Sequence, residues 1–315
     1  SNSFSIYRPQ TIDKQISKDG TRKYLFKSEN FGEFETVFIP EDDRGTLCIS
    51  SQIGCTLNCS FCYTGTQKLV RNLETYEIVG QITAVKDDLS DWVLRKNNSS
   101  KRAISNVVVM GMGEPLYNFE NIKKSLNIIM NNEGLSISRK KITLSTSGVV
   151  PNIHRVSSEI GCLLAISLHG TTDEIRDKLV PINKKYPIKK LLESVIRYVE
   201  KCGDSRKTTI EYILIDKVND SIENAYELCK LLKMLPCKIN LIPFNPFPGS
   251  SYKRPSSMRI QTFKKILQKE GYITTIRTTR GEDIMAACGQ LVGQVNDKTR
   301  KKERLQKRIE VQTIS

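Results

Sequence analysis

The spacing of apolar and polar positions changes period repeatedly along this chain, and each change marks an element. Phe34-Glu35-Thr36-Val37-Phe38-Ile39 predicts a strand stopped by Pro40 and the acidic turn Glu41-Asp42-Asp43, and Thr46 to Ser50 predicts a second. Residues 1 to 30 before them are polar and basic around Asp19-Gly20 and read as a loop or hairpin edge. Helical spacing runs from Glu74 to about Leu89, with Ile78, Ile82 and Val85 on one side. After a polar break over 97–101, a buried-type strand over 107–110 leads to a helix over 120–130. Strands follow over 142–145 and 163–168. The helix over 188–200 sets Ile188, Leu191, Leu192, Val195, Ile196 and Val199 on one face. A strand over 209–215, a helix over 222–235, a strand over 238–242, a helix over 258–269 and a strand over 273–278 complete the series.

Strand then helix, about six times over, calls for parallel strands joined by right-handed crossovers. The expected fold is α/β, a partial (β/α)6 TIM-like barrel with a short N-terminal β extension. The expected division is a lead over 1–47, the barrel over 48–295 and a basic tail over 296–315. In such folds the working residues gather at the carboxyl ends of the strands. Gly111-Met112-Gly113-Glu114, Ser145-Thr146-Ser147-Gly148, Ser167-Leu168-His169 and Asn245-Pro246-Phe247-Pro248-Gly249 all follow directly on strands. That shared position ties them into one site.

A formal charge of +15 over 315 residues favours a polyanionic partner, with nucleic acid ahead of an acidic membrane surface. No apolar run approaches a membrane span, and no secretory signal pattern opens the chain, so the expected location is the cytoplasm. The first residue is Ser1, not Met, so the natural N-terminus is expected to be missing. Nine cysteines, an odd number with three of them clustered, fit reduced thiols and metal chemistry better than a disulfide framework.

The cluster is Cys55-Thr56-Leu57-Asn58-Cys59-Ser60-Phe61-Cys62. Neither a helix stripe nor a strand face brings positions 55, 59 and 62 together, so a loop wrapped around something is expected. Three soft thiolates suit zinc or an iron–sulfur cluster. Zinc in a structural site needs a fourth protein ligand, and none stands nearby. Three thiols on a four-iron cluster leave one iron open to a small molecule.

Elsewhere two readings stand side by side. Gly113-Glu114 is an ordinary turn, or a glycine that lets a ligand approach beside a carboxylate that binds it. Ser145 and Ser167 cap the following helices, or offer hydroxyls to a ligand. His169 and Asn245 are structural, or hydrogen-bond a ligand, while His154 is assigned nothing. Cys162, Cys202, Cys229 and Cys237 read as packing. Cys48 lies just before the cluster, and Cys288, between small residues, is expected to expose its sulfur on a mobile loop. Lys68, Arg71, Lys184, Lys185, Arg277 and Arg280 are candidates for phosphate contacts, and the basic run 298–308 for nonspecific RNA binding.

The Cys-x3-Cys-x2-Cys motif is similar to the signature of the radical S-adenosylmethionine enzymes. With Thr64-Gly65, Arg71-Asn72-Leu73, Pro181-Ile182-Asn183-Lys184, Ala287-Cys288-Gly289-Gln290 and the strand-end sequences above, residues 30 to 295 resemble the RNA adenine methyltransferases of the RlmN/Cfr class. The Asn-Pro-Phe-Pro-Gly run resembles the C2 branch more than the C8 branch. The class usually carries an accessory N-terminal RNA-binding domain, and here only a short lead precedes the barrel.

The resemblance implies methylation of adenine carbon 2 in 23S rRNA, and in tRNA, through a methyl-cysteine intermediate. A C8-specific enzyme and a non-enzymatic zinc-bearing RNA-binding module are the alternatives. It implies a [4Fe-4S] cluster on Cys55, Cys59 and Cys62, and two S-adenosylmethionine molecules per turnover held by Gly113, Glu114, Ser145, Ser167, Leu168, His169 and Asn245. Cys288 would carry the methyl group, Cys48 would release the product by forming a transient disulfide, and Glu35 would accept the ring proton. The chain would act as a monomer served by an electron donor such as flavodoxin.

Overall fold

Strand order in the main sheet follows chain order, so each parallel strand lies beside the one before it in the sheet. The computed structural model describes residues 6–92, 102–203 and 207–293. Strands β1 (Gln10–Ile16), β2 (Arg22–Lys27) and β3 (Glu33–Pro40) form an antiparallel meander, and β3 pairs with β4 (Gly45–Cys48). A two-rung ladder of β5 (Gln52–Ile53) and β6 (Arg71–Asn72) brackets the cysteine loop. From β4 onward the sheet is parallel through β7 (Asn106–Val109), β8 (Ile142–Thr146), β9 (Leu163–Ser167), β10 (Thr208–Leu214), β11 (Cys237–Pro243) and the short β12 (Thr274–Ile276). Helices α1 (Thr75–Asp88), α2 (Phe119–Met130), α3 (Val150–Glu159), α4 (Asp173–Leu179) with α5 (Ile188–Cys202), α6 (Ile222–Leu232) and α7 (Ser257–Lys269) occupy the crossovers. The six β/α units stand, with β12 as a further parallel strand. The sheet does not close, because β12 pairs with β11 and not with β4.

Alternation along each strand separates two environments. Val107, Ile142, Leu144, Leu164 and Ile166 lie on the alternate positions that face the helices and are buried. Each such side chain contributes about 1.5–3 kcal/mol by burial, and truncating one to Ala costs about 2–5 kcal/mol. The opposite face carries Thr143, Thr209, Glu211, Asn240 and Thr275, which line a cavity instead of filling it. The apolar face of α5 is buried as its spacing predicts, and the helix ends where Gly203 turns left-handed at φ 61°.

Two helices depart from the sequence reading. Helix α3 buries only Ile153 and Val156, and α4 has seven residues, so neither carries a long apolar stripe. What starts α4 is local: Thr172 accepts the Ile175 N–H, with Asp173 and Glu174 in the first turn. The basic lead resolves into the hairpin β1–β2, turning at Gly20 with φ +82°. The last strand is shorter than 273–278, and α6 stops at Leu232. The polar break over 97–101 and the basic run 298–308 lie outside the described residues.

Candidate active site

The cysteine loop is pinned by its own neighbours. Cys62 N–H donates to Cys59 O at 3.2 Å, Ser60 N–H to Leu179 O at 3.2 Å, and Tyr63 N–H to Gly289 O at 2.6 Å. Gly65 passes so close to Cys59 that a Cβ there would meet its carbonyl oxygen at 2.6 Å. Phe61 meets the His169 ring edge-on at 4.7 Å, and Tyr63 stacks on Phe247 at 5.1 Å. The motif's aromatics thus fasten the loop to two other strand-end sequences.

Cys55, Cys59 and Cys62 line one cavity of about 140 Å³, together with Glu114, Ser145 and Ser167. Burial pushes the Cys55 thiol up to about 12 and Cys59 well above its ordinary value, and the neighbouring sulfurs add to the shift. Among the described residues no three His, Cys, Asp or Glu side chains converge on a single ion. The donor set fits a cluster: soft sulfurs around a shared space, their ionisation opposed by burial and mutual repulsion, which bound iron would offset.

At the mouth of β7, Gly113 has φ +96°, and a Cβ there would lie 2.5 Å from Gln52 Cβ. This turn buries Glu114. Its carboxylate accepts from Thr146 Oγ1 at 2.8 Å, Ser147 N–H at 2.8 Å and Leu116 N–H at 3.0 Å. Burial lifts its pKa to about 7 against those three bonds. Ser145 Oγ and Ser167 Oγ stand 3.4 Å apart on adjacent strands.

His169 is buried with φ 61°, its Nδ1 accepting the Ile213 N–H at 3.0 Å. Burial, with the Arg176 charge, depresses its pKa to about 3. The ring is neutral, and the occupied Nδ1 puts its proton on Nε2. Asn219 fixes this conformation by donating to His169 O at 2.8 Å and Ile213 O at 2.7 Å. Leu168 lines neither cavity; its carbonyl accepts from Arg176 Nε at 2.9 Å.

Sequence reasoning missed Arg176. Its guanidinium is fully buried and bonds Asn183 Oδ1, Ser147 O, Ser167 O and Leu168 O, tying the ends of β8 and β9 to the Pro181–Lys184 turn. A charged residue within a short polar helix gives no sign of that role.

A second cavity of about 620 Å³ fills the open seam of the barrel, and Cys62, Glu211, Arg277 and Cys288 line both spaces. Cys48, at the end of β4, lines the larger one. Burial lifts its thiol to about 12, Cys288 adds to the shift, and Arg277 opposes it. Cys288 is half-buried, and hydrogen bonds join its loop to neighbouring segments. Asn245 Nδ2 donates to Cys288 O at 3.2 Å, Gln290 Nε2 to Pro246 O at 2.7 Å and Thr64 Oγ1 to Leu291 O at 2.7 Å. Asn245 therefore lies by the Cys288 loop in the larger cavity and not among the residues around the cysteine triplet.

Glu35 shares a strand face with Val37 and Ile39 of the cavity wall but lines neither cavity. Its Oε1 is 3.3 Å from Lys23 Nζ, and Oε2 accepts the Val292 N–H at 2.7 Å. Among the basic residues, Lys68, Lys184 and Lys185 are exposed. Arg71 is committed to Glu77 through two bonds of 2.7 and 2.8 Å, and Arg277 lines both cavities. His154 is exposed on α3, and Cys162, Cys229 and Cys237 are buried.

Residues 49–229 match the family model of the radical SAM superfamily. The chain is 57% identical over 290 residues to the dual-specificity RNA methyltransferase RlmN of Dinoroseobacter shibae, covering 91% of this chain and 73% of that protein. The RlmN of Paracoccus denitrificans is 56% identical over 291 residues, covering 91% and 74%. A radical SAM methyltransferase from Sphaerobacter thermophilus superimposes with a TM-score of 0.84 at 43% identity, covering 90% of this chain and 81% of that one. These matches overturn the alternative of a non-enzymatic zinc module.

Proposed function

We propose, from the premise that this chain belongs to the radical SAM superfamily and within it to the dual-specificity RNA methyltransferases RlmN, that it methylates carbon 2 of adenine in 23S rRNA and tRNA. Carbon 2 is neither acidic nor nucleophilic, so direct methyl transfer from a sulfonium fails there. A [4Fe-4S] cluster with S-adenosylmethionine supplies one-electron chemistry strong enough to activate a carbon–hydrogen bond.

Cys55, Cys59 and Cys62 hold the cluster. Gly113, Glu114, Ser145, Ser167 and His169, which line the cavity of the cysteine triplet, hold S-adenosylmethionine, with Leu168 and Asn245 positioning the strand ends beside it; two molecules are used per turnover. Neutral His169 offers an N–H and Glu114 a carboxylate to its polar groups. Cys288 carries the methyl group as a thioether. Once that carbon is bonded to the base, Cys48 Sγ attacks Cys288 Sγ and the two cysteines form a disulfide; the carbon–sulfur bond breaks with its electron pair left on carbon, which takes up the proton given up by the Cys48 thiol and leaves as the methyl group of the product. Glu35 accepts the ring proton. An RNA base reaches such a site only when it is unpaired or flipped out of its stack.

The observation that carries this reading is the meeting of Cys48 and Cys288 on one cavity wall that Cys62 also lines. An ordinary radical enzyme has no use for two further thiols there. A flavodoxin-type donor supplies electrons to a monomeric, cytoplasmic enzyme; among the described residues no helix is long and apolar enough to cross a membrane.

The test is anaerobic incubation with a synthetic rRNA fragment and a tRNA, followed by nucleoside analysis. 2-Methyladenosine is expected. 8-Methyladenosine would transfer the chain to the C8 branch, and no methylated adenine in either RNA would overturn the proposal.

A further inference from the structure

We propose that Asn219 is a positioning residue for S-adenosylmethionine: it turns His169 so that the ring presents its Nε2–H to a hydrogen-bond acceptor of the bound cofactor. This inference rests on the reading of the smaller cavity as the S-adenosylmethionine site.

The arrangement begins where the ladder between β9 and β10 ends. The two strands pair in register as far as Ser167 and Glu211, and Leu168 N–H then donates to Glu211 O at 3.0 Å. A parallel ladder would continue with Ile213 N–H donating back to Leu168 O. Here that N–H goes to His169 Nδ1 at 3.0 Å, while Leu168 O accepts from Arg176 Nε at 2.9 Å and from Gly170 N–H at 2.9 Å. The imidazole has taken the place of a backbone carbonyl.

That exchange needs an unusual backbone. His169 has φ 61°, a left-handed conformation that a residue with a side chain keeps only where its surroundings hold it. What holds it is Asn219, fully buried in the turn after β10. Its Nδ2 donates to His169 O at 2.8 Å and to Ile213 O at 2.7 Å, and its Oδ1 accepts the Ile215 N–H at 2.8 Å. Both amide protons are spent on carbonyl oxygens, so neither a flipped amide nor a carboxylate would serve. The turn is itself fixed: Tyr212 Oη donates to Asn219 O at 2.9 Å, and Lys217, at φ 59°, donates its N–H to Asp220 Oδ1 at 2.9 Å.

With Nδ1 accepting, the proton of the neutral ring lies on Nε2. No described residue accepts it, yet Nε2 is not one of the sealed polar atoms left without a partner, so it opens on the cavity that His169 lines with Cys55, Cys59 and Glu114. Phe61 packs edge-on against the ring at 4.7 Å and holds it beside the cysteine loop. An unspent donor therefore faces a cofactor rich in acceptors: a carboxylate, ribose hydroxyls and adenine nitrogens. Asn219 lines neither cavity, so it reaches the cofactor only through His169.

Two measurements on protein with full iron content test this. The first is a double-mutant cycle of S-adenosylmethionine affinity by equilibrium dialysis. Asn219→Ala and His169→Ala are each expected to weaken binding by about fivefold to tenfold, the worth of one hydrogen bond, and the double variant by no more than the larger single loss. A residue that only stabilises its turn acts independently of the ring. Losses that multiply in the double variant, or an unchanged affinity in Asn219→Ala, would therefore overturn the inference.

The second reads the ring directly, by nitrogen NMR of the oxidised protein carrying His154→Gln, which leaves His169 as the one histidine. With Asn219 in place the Nε2–H tautomer is expected, and Nδ1–H would overturn the inference whichever variants fold. Asn219→Ala, or Asn219→Asp should the first not fold, should give a mixture of tautomers, and an unaltered Nε2–H spectrum would count against the inference. The parent reading fails separately, if wild-type protein with full iron content binds no S-adenosylmethionine.

Discussion

The backbone N–H of Val292, four residues beyond Cys288, donates to Glu35 Oε2 at 2.7 Å while Lys23 Nζ lies 3.3 Å from Glu35 Oε1. One buried carboxylate therefore anchors the flank of the Cys288 loop and neutralises a lysine. Glu35→Ala strands a buried ammonium and an amide, and is expected to lower the unfolding free energy by about 3–5 kcal/mol. Adding Lys23→Met should restore most of that stability in urea titrations without restoring turnover. A double variant that regains both would show that Glu35 is only an anchor and not the proton acceptor.

Arg71 and Glu77 form a second buried pair, with Ser28 completing it. Burial pushes the Glu77 carboxyl up, and bonds from Arg71, Ser28 and the Glu74 N–H more than offset that, leaving its pKa below the usual value. A depressed carboxylate stabilises the fold at pH values above its unfolded pKa of about 4.3, and the contribution is lost as pH falls through the lower folded value. Arg71→Leu should cost about 3–5 kcal/mol at pH 7 and markedly less near pH 3, measured by denaturant midpoint. An equal cost at both pH values would assign the loss to packing instead.

Much of this arrangement is legible in the sequence, for identifiable reasons. Parallel strands such as β7 and β9 read as apolar runs because helices cover them, and each is followed by an unusual polar sequence because the site lies at its end. Helices α3 and α4 are not legible, since they bury few apolar side chains. Arg176 and Glu211 are hidden for another reason: a lone charged residue looks solvated until topology folds partners around it. The pairing of Arg71 with Glu77 is not legible either, because Glu77 lies in the first turn of the next helix, outside the spacing of an ion pair within one helix.

Gly113→Ala tests the turn that presents Glu114. The position needs φ +96°, and the added methyl would meet Gln52, whose Oε1 accepts the Glu114 N–H at 2.8 Å. Strain of about 1–3 kcal/mol is expected, and moving the carboxylate should weaken S-adenosylmethionine binding by about tenfold or more. Equilibrium dialysis on protein with full iron content measures this directly. Unchanged affinity would remove Glu114 from the ligand contacts.

Cys48 and Cys288 differ in how they are held, which accords with the separate roles proposed for them. Cys48 ends a strand, opposite Val37 on one side and Val108 on the other, so its sulfur is fixed in the sheet. Cys288 sits on a loop joined to its surroundings by a few exchangeable hydrogen bonds. Burial raises the Cys48 thiol, with the nearby Cys288 adding to the shift, which favours its protonated, unreactive form, while Arg277 favours its ionisation. Cys48→Ala should therefore still load a methyl on Cys288, seen by intact mass, and still form the bond to RNA. Release should fail, and a covalent protein–RNA band should accumulate on denaturing gels. The Cys48→Ala/Cys288→Ala protein should give no such band, and free methylated RNA from the single variant would remove Cys48 from the resolving step.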